Sequence, residues 1–213
     1  MSRIQSVGKL PAGHRAGAEM PEDQADPSLL RPAGKLYSSA YCQALLDRLT
    51  GEIQWQYDYF AFGRRFDVPR LQAWYADPGI HYRYSNNMLE SRPWIPALLT
   101  IKQDIEHKIG QPFNSVLVTY YRDGKDHVTL HSDDEPELGE APVIASLSLG
   151  ATREFHYYRK QGSELRRMQL HDGDLLVMLP PFQRDWQHCI PMEPEVEAPR
   201  INLTFRQVYM SRE

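Results

Sequence analysis

The 213-residue chain predicts an α+β fold: a β-sandwich or jelly-roll core with N-terminal helices buttressing one sheet. Three observations carry that prediction. Apolar stripes at helical spacing lie before residue 110. From Asn114 onward, short runs rich in Val, Leu, Ile and Tyr recur between turn residues. Hydrophobic residues make up 41% and charged residues 24%, the balance of one soluble core. Helices first and strands afterward set the helices against one face of a sandwich or jelly roll.

In chain order, residues 1–35 hold several Pro, Gly and Ala without a sustained period and are expected as a mobile tail. They contain no apolar stretch of a secretory signal, and no run in the chain reaches the ~20 apolar residues of a membrane span. A helix is predicted from Ser38 or Ser39, with a serine as N-cap and Tyr41, Leu45, Leu46 and Leu49 on one face. A second starts after Pro93, carries Leu98, Ile101, Ile105 and Ile109 on a stripe, and closes at Gly110.

The predicted strands are Val116 to Tyr121, closed by Asp123-Gly124; Val143 to Leu149, closed by Gly150; Glu154 to Tyr158; Asp174 to Met178, closed by Pro180-Pro181; and Ile201 to Val208. The division expected is a tail (1–35), a helical region (36–110) and the core (111–213), the last two in one domain.

Net charge is −4, so the chain is no polycation, although a nucleic-acid binder need only be basic locally. Arg64, Arg65 and Arg70, and then Arg159, Lys160, Arg166 and Arg167, are clusters that suit either solvated surface or a phosphate backbone. Cys42 and Cys189 form neither a disulfide framework nor a zinc or redox motif. A reducing, intracellular compartment follows as the expectation.

The residues richest in chemistry are His131, Asp133 and His188. In extended chain, positions i and i+2 point to one side, so an imidazole and a carboxylate two apart can reach one ion. A distant second histidine completes two histidines and one carboxylate, the ligand set of non-haem Fe(II) oxygenases. The His-x-Asp pair alone arises often by chance, and His127, His156 and His171 show how easily a loose pattern is met. His171-Asp172-Gly173-Asp174 sits where a turn between two strands is needed and reads as structural.

Longer segments are more specific: PFNSVLVTYYRDGKDHVTLHSDDEPELG, PVIASLSLGATREFHYYRK, HDGDLLVML, DWQHCIP and PRINLTFRQVY. With them the stretch from Phe113 to Val208 resembles the AlkB family of nucleic-acid dealkylases, and the resemblance extends weakly to Phe60-Ala61-Phe62-Gly63 and Pro93-Trp94-Ile95-Pro96. It implies a double-stranded β-helix core, Fe(II) on His131, Asp133 and His188 as metal and catalytic residues, and 2-oxoglutarate and O₂ as cosubstrates. It also implies oxidative removal of alkyl groups from bases such as 1-methyladenine and 3-methylcytosine in DNA or RNA, with release of formaldehyde.

In that family the pattern Arg-x-Asn-x-Thr-x-Arg serves 2-oxoglutarate; here it is Arg200-Ile201-Asn202-Leu203-Thr204-Phe205-Arg206. The arginines are six apart and face the same way on a strand. Arg200 is expected to clamp the far carboxylate as a bidentate pair, with Arg206 nearer the metal-chelating end. Tyr121 matches the tyrosine of the family's Asn-x-Tyr pair, while Thr119 replaces the asparagine with a shorter hydrogen-bonding group.

For the base, the resemblance implies a recognition lid within 36–110. Tyr82 or Tyr84 would hold the base against His131 or else pack within a strand, and Glu135 would meet the positive edge of a methylated base. Phe62, beside Arg64, would wedge into a duplex or pack onto the core. The partners expected are alkylated DNA or RNA and no membrane, with a monomer acting in the cytoplasm, or in the nucleus of a eukaryotic cell. A same-fold oxygenase of a protein or lipid, and a non-catalytic nucleic-acid-binding module, are the rival functions.

Overall fold

Ser38 opens the first helix through its Oγ, which accepts from the Tyr41 amide at 3.4 Å, and Gly110 closes the second with a φ of 71°. The computed structural model describes residues 28–61, 64–80, 82–84, 87–89 and 91–209. Its elements begin with β1 (Leu30–Lys35), α1 (Ser39–Glu52), β2 (Gln56–Ala61), β3 (Arg64–Ala76), β4 (Tyr82–Tyr84), β5 (Asn87–Leu89) and α2 (Pro96–Ile109). There follow β6 (Ser115–Tyr121), β7 (Val128–His131), a 3₁₀ turn (Pro136–Leu138), β8 (Ile144–Gly150), β9 (Arg153–Arg159) and β10 (Leu165–Leu170). The last are β11 (Asp174–Met178), α3 (Pro180–Asp185), β12 (Trp186–Ile190) and β13 (Arg200–Arg206).

Two antiparallel sheets form the jelly roll. The larger has the order β1-β11-β8-β13-β6-β3-β2, the smaller β10-β9-β12-β7, and β4 pairs with β5 as a separate ribbon. The apolar stripes of α1 (Cys42, Leu45, Leu46, Leu49) and α2 (Leu98, Ile101, Ile105) pack on the larger sheet against Val116, Val118, Leu147, Ile201, Leu203 and Phe205. A second core, including Phe155, Tyr157, Phe182 and Trp186, fills the interior. Strand β13 shows how one sequence serves both faces. Its odd positions enter the helix-backed core, while Arg200, Asn202, Thr204 and Arg206 turn to the cleft on the other side.

Several expectations need correction. Leu30–Lys35, assigned to the tail, is a strand on β11 with Leu30 fully buried. Pro32 disguised it, because proline suits only a sheet edge or an irregular position, and β1 is an edge strand with a register shift between Pro32 and Lys35. The remainder of the expected tail, residues 1–27, lies outside the described residues. The region 36–110 is not simply helical, since β2 and β3 complete the larger sheet; Pro69 and interspersed charges concealed β3. Tyr41 is exposed, and Cys42 takes its place on the buried stripe. His131 ends a strand of its own, β7, and β10 and β12 are strands that alternation did not reveal. The His171 segment is the turn between β10 and β11: Asp174 accepts from the His171 amide, Asp172 from the Gly150 amide, both at 2.8 Å.

Candidate active site

The site lies in a cleft whose walls come from both sheets. Strands β7 and β12 are neighbours with His131 directly opposite His188, which brings the two imidazole centroids to 4.3 Å. Asp133 follows β7 by two residues, and the three side chains offer ligand atoms that all lie within 4.8 Å of one another. His131 Nδ1 donates to the Thr129 carbonyl at 2.8 Å, so the lone pair is left on Nε2, 3.8 Å from Asp133 Oδ1.

A divalent metal fits these residues. Asp133 Oδ1 and His188 Nδ1 are buried and have no hydrogen-bond partner among the described residues. Burial alone would push the Asp133 carboxyl up, but the charge of Arg206, then those of His131 and His188 once acid protonates them, and the Arg206 hydrogen bond outweigh it and hold it at about 2. Burial, then the neighbouring His131, pulls His188 down to about 3, and burial likewise lowers His131. An ionised carboxylate beside two neutral imidazoles is the protonation state a metal site requires.

The loop that carries Asp133 is tied at each residue. Ser132 Oγ donates to the Trp186 carbonyl at 2.8 Å, the Asp133 amide donates to Gln183 Oε1 at 2.9 Å, and Lys160 Nζ donates to Asp134 Oδ2 at 3.0 Å. Arg206 Nη2 donates to Asp133 Oδ2 at 2.8 Å, while the other oxygen, Oδ1, lies 3.8 Å from His131 Nε2.

Across the cleft, Arg200 is 1% exposed, and its Nη2 donates to Ser148 Oγ and Asn202 Oδ1 at 2.9 and 2.8 Å. Its Nε and Nη1 make no hydrogen bond among the described residues. A buried guanidinium with open donors is costly unless an anion completes it, so the residues fit a carboxylate-bearing cosubstrate. Asn202 is engaged with protein on both ends: Oδ1 also accepts from Ser146 Oγ, and Nδ2 donates to Thr204 Oγ1. Tyr121 and Thr119 lie opposite Arg200 and Asn202 on β6, and both line the cleft.

The residues expected at the base come from different elements. Glu135 precedes the 3₁₀ turn, two residues past Asp133. Tyr82 and Tyr84 belong to β4, opposite Leu89 and Asn87, and Arg64 begins β3 opposite Ala61. Phe62 lies outside the described residues. Gln183, Ser146 and Ser148 were missed in the sequence. Their partners stand 50 or more positions away, and no spacing pattern encodes such cross-sheet pairs.

A family model for the 2OG-Fe(II) oxygenase superfamily matches residues 33–206. DNA oxidative demethylase ALKBH2 of Mus musculus is 38% identical over 188 residues, 81% of this chain and 79% of that protein. Alpha-ketoglutarate-dependent dioxygenase alkB homolog 3 of Homo sapiens is 42% identical over 179 residues, 78% of this chain and 61% of that protein. The chain therefore spans under two thirds of the second relative. A solved structure of OsALKBH1 superposes with a TM-score of 0.50 and 22% identity, over 79% of this chain and 90% of that one, which is a likeness of fold.

Proposed function

Because this chain belongs to the AlkB family of the 2OG-Fe(II) oxygenase superfamily, we propose that it repairs N-alkylated bases such as 1-methyladenine and 3-methylcytosine in DNA or RNA by oxidative dealkylation. It is an Fe(II)- and 2-oxoglutarate-dependent dioxygenase. The observation that carries the reading is the pairing of the His131, Asp133 and His188 cluster with two buried arginines, Arg200 and Arg206, in one cleft.

With iron, 2-oxoglutarate and O₂ bound, the site supplies an oxidant that hydroxylates the alkyl carbon on the base nitrogen, the cosubstrate leaving as succinate and CO₂ and a methyl group as formaldehyde. His131, Asp133 and His188 would hold the iron. The Thr129 carbonyl fixes the His131 tautomer with Nε2 available, and Arg206 keeps Asp133 ionised and oriented. Arg200 would take the far carboxylate of 2-oxoglutarate through its open donors, with Tyr121, Thr119 and Asn202 shaping that end of the cleft. Both ends of the cosubstrate would thus meet positive charge, the iron at one and Arg200 at the other.

The base would lie at the mouth near His131, with Glu135 facing its positive edge and Tyr82 or Tyr84 covering it from the β4–β5 ribbon, part of a recognition lid within 36–110. Phe62 and Arg64, where β2 leads into β3, would meet the nucleic-acid stack and phosphates. The enzyme would act as a monomer in the cytoplasm, or in the nucleus of a eukaryotic cell. Among the described residues no helix is long and apolar enough to cross a membrane.

The test is a demethylation assay on matched single- and double-stranded oligonucleotides carrying 1-methyladenine or 3-methylcytosine, with and without iron and 2-oxoglutarate. Formaldehyde release that needs both is expected. Succinate formation with no loss of methyl from any oligonucleotide would overturn the base-repair reading and favour a protein or lipid substrate. Absence of both products would favour a binding module.

A further inference from the structure

Two guanidinium groups pack on the Tyr121 ring: that of Arg200 is 5.1 Å from the ring centroid and that of Arg153 is 5.5 Å. Arg153 is itself 1% exposed and sits outside the metal cluster. Its Nε donates to Glu193 Oε2 at 2.8 Å. Its Nη1 donates to the Asp123 carbonyl, and its Nη2 reaches the carbonyls of Gly124, Asp126 and Pro191. These acceptors belong to two loops. Residues 123–126 follow Tyr121 and join β6 to β7; residues 191–193 lie in the connection from β12 to β13, which begins at Arg200.

The two loops are closed on each other around this side chain. Glu193 N donates to the Gly124 carbonyl and Gly124 N to the Val196 carbonyl, at 2.8 and 2.7 Å. A Cβ at position 124 would fall 1.7 Å from the Glu193 carbonyl oxygen, so glycine is needed for the loops to approach. The acid of Glu193 neutralises Arg153 and also accepts from the Glu154 amide. A buried arginine with its fork spent on backbone carbonyls is a geometric fixture rather than a ligand-binding group.

We infer that Arg153 is a positioning residue for the cosubstrate: by clamping these two loops and backing the Tyr121 ring, it holds Tyr121 and Arg200 in the geometry that receives the 2-oxoglutarate carboxylate. The inference rests on the assignment of Arg200 to that carboxylate. It predicts a selective defect, because Arg153 packs directly on the Tyr121 ring beside Arg200, whereas the clamped loops reach His131 and His188 only through the lengths of β7 and β12, which are also paired to each other.

The test is calorimetric titration of 2-oxoglutarate into the Mn(II)-loaded full chain, with Mn(II) affinity and melting temperature measured alongside. Arg153→Met should weaken 2-oxoglutarate binding by roughly tenfold, at the low end of losses for residues that orient a ligand's direct partners, while Mn(II) affinity changes by no more than about twofold. Arg153→Lys, which keeps charge without the fork, should recover part of the loss. A lowered melting temperature with unchanged 2-oxoglutarate affinity, or equal losses of Mn(II) and 2-oxoglutarate affinity, would overturn the inference. Should Arg153→Met not fold, Glu193→Gln takes its place, with weaker 2-oxoglutarate binding expected and unchanged binding overturning it. Arg200→Lys is the parallel control. If it too leaves 2-oxoglutarate affinity unchanged, the assignment of Arg200 fails; if it alone weakens binding, only the role of Arg153 fails.

Discussion

Arg206 and Asp133 form a buried ion pair that uses only one of the two carboxylate oxygens. Arg206 Nη2 bonds Oδ2 at 2.8 Å, while Oδ1 has no hydrogen-bond partner among the described residues and faces His131 Nε2 at 3.8 Å. The arginine thereby does two things for a metal site. It keeps the carboxyl ionised against burial, and it leaves one oxygen for a cation.

Substituting Asp133 should therefore affect more than the chemistry. Asp133→Ala is expected to abolish iron-dependent turnover and Mn(II) binding. It also removes the carboxylate from a buried pair, which costs on the order of 3–5 kcal/mol of stability. Urea unfolding and metal titration of the same sample check both parts. Wild-type metal affinity in the variant would remove Asp133 from the metal site.

Arg200→Lys should raise the 2-oxoglutarate requirement far more than it changes oligonucleotide affinity. Lysine keeps the charge but cannot present two parallel donors. The lost charge-assisted bond is worth about 1.5–3 kcal/mol, or roughly ten- to a hundredfold in KM for the cosubstrate. Steady-state kinetics with varied 2-oxoglutarate, paired with oligonucleotide binding by anisotropy, separates the two effects. Weakened oligonucleotide binding with an unchanged cosubstrate KM would turn Arg200 toward the nucleic acid instead.

The β2–β3 hairpin supplies a comparison of duplex with single strand. Ala61 and Arg64 are paired across it, and Phe62 lies between them in the sequence. If Phe62 fills the gap left by an extruded base, Phe62→Ala should slow duplex repair by about one to two powers of ten and spare single strands, because unstacking costs a few kcal/mol. Equal slowing on both substrates with a lower melting temperature would mean that Phe62 packs into the protein.

Asp126 predicts an acid limb in stability. Its carboxylate accepts from Arg122 Nε and Nη2 at 2.7 and 2.8 Å and from the Arg122 amide at 2.9 Å. Burial raises its pKa, but these bonds from Arg122 outweigh burial and leave it below the ordinary value. A depressed folded-state pKa contributes stability that is complete above the unfolded value of about 3.9 and is lost as pH falls through the folded one. Asp126→Asn should thus lower stability near neutral pH, and the gap from wild type should narrow below about pH 4. Denaturant melts at pH 7 and pH 3 measure it; a gap that stays constant with pH would mean that the charge of Asp126 contributes nothing.

Features encoded within a few residues were legible along the chain. The serine cap and glycine stop of the helices, the alternation along Arg200–Arg206 and the same-side reach of His131 and Asp133 all follow from local backbone period. Even spacing on one strand is likewise enough to turn Arg200 and Arg206 to the same face. Partnerships between distant positions had to come from the folded chain: His188 opposite His131, Arg206 on Asp133, Gln183 on the Asp133 amide, and Arg153 over the Tyr121 ring. Leu30–Lys35 belongs with them, since a short strand containing proline gains its identity from the neighbour that pairs with it. One cause underlies every case. Strand register and sheet-on-sheet packing set which side chains meet, and those are fixed by burial of the whole core rather than by spacing along the chain.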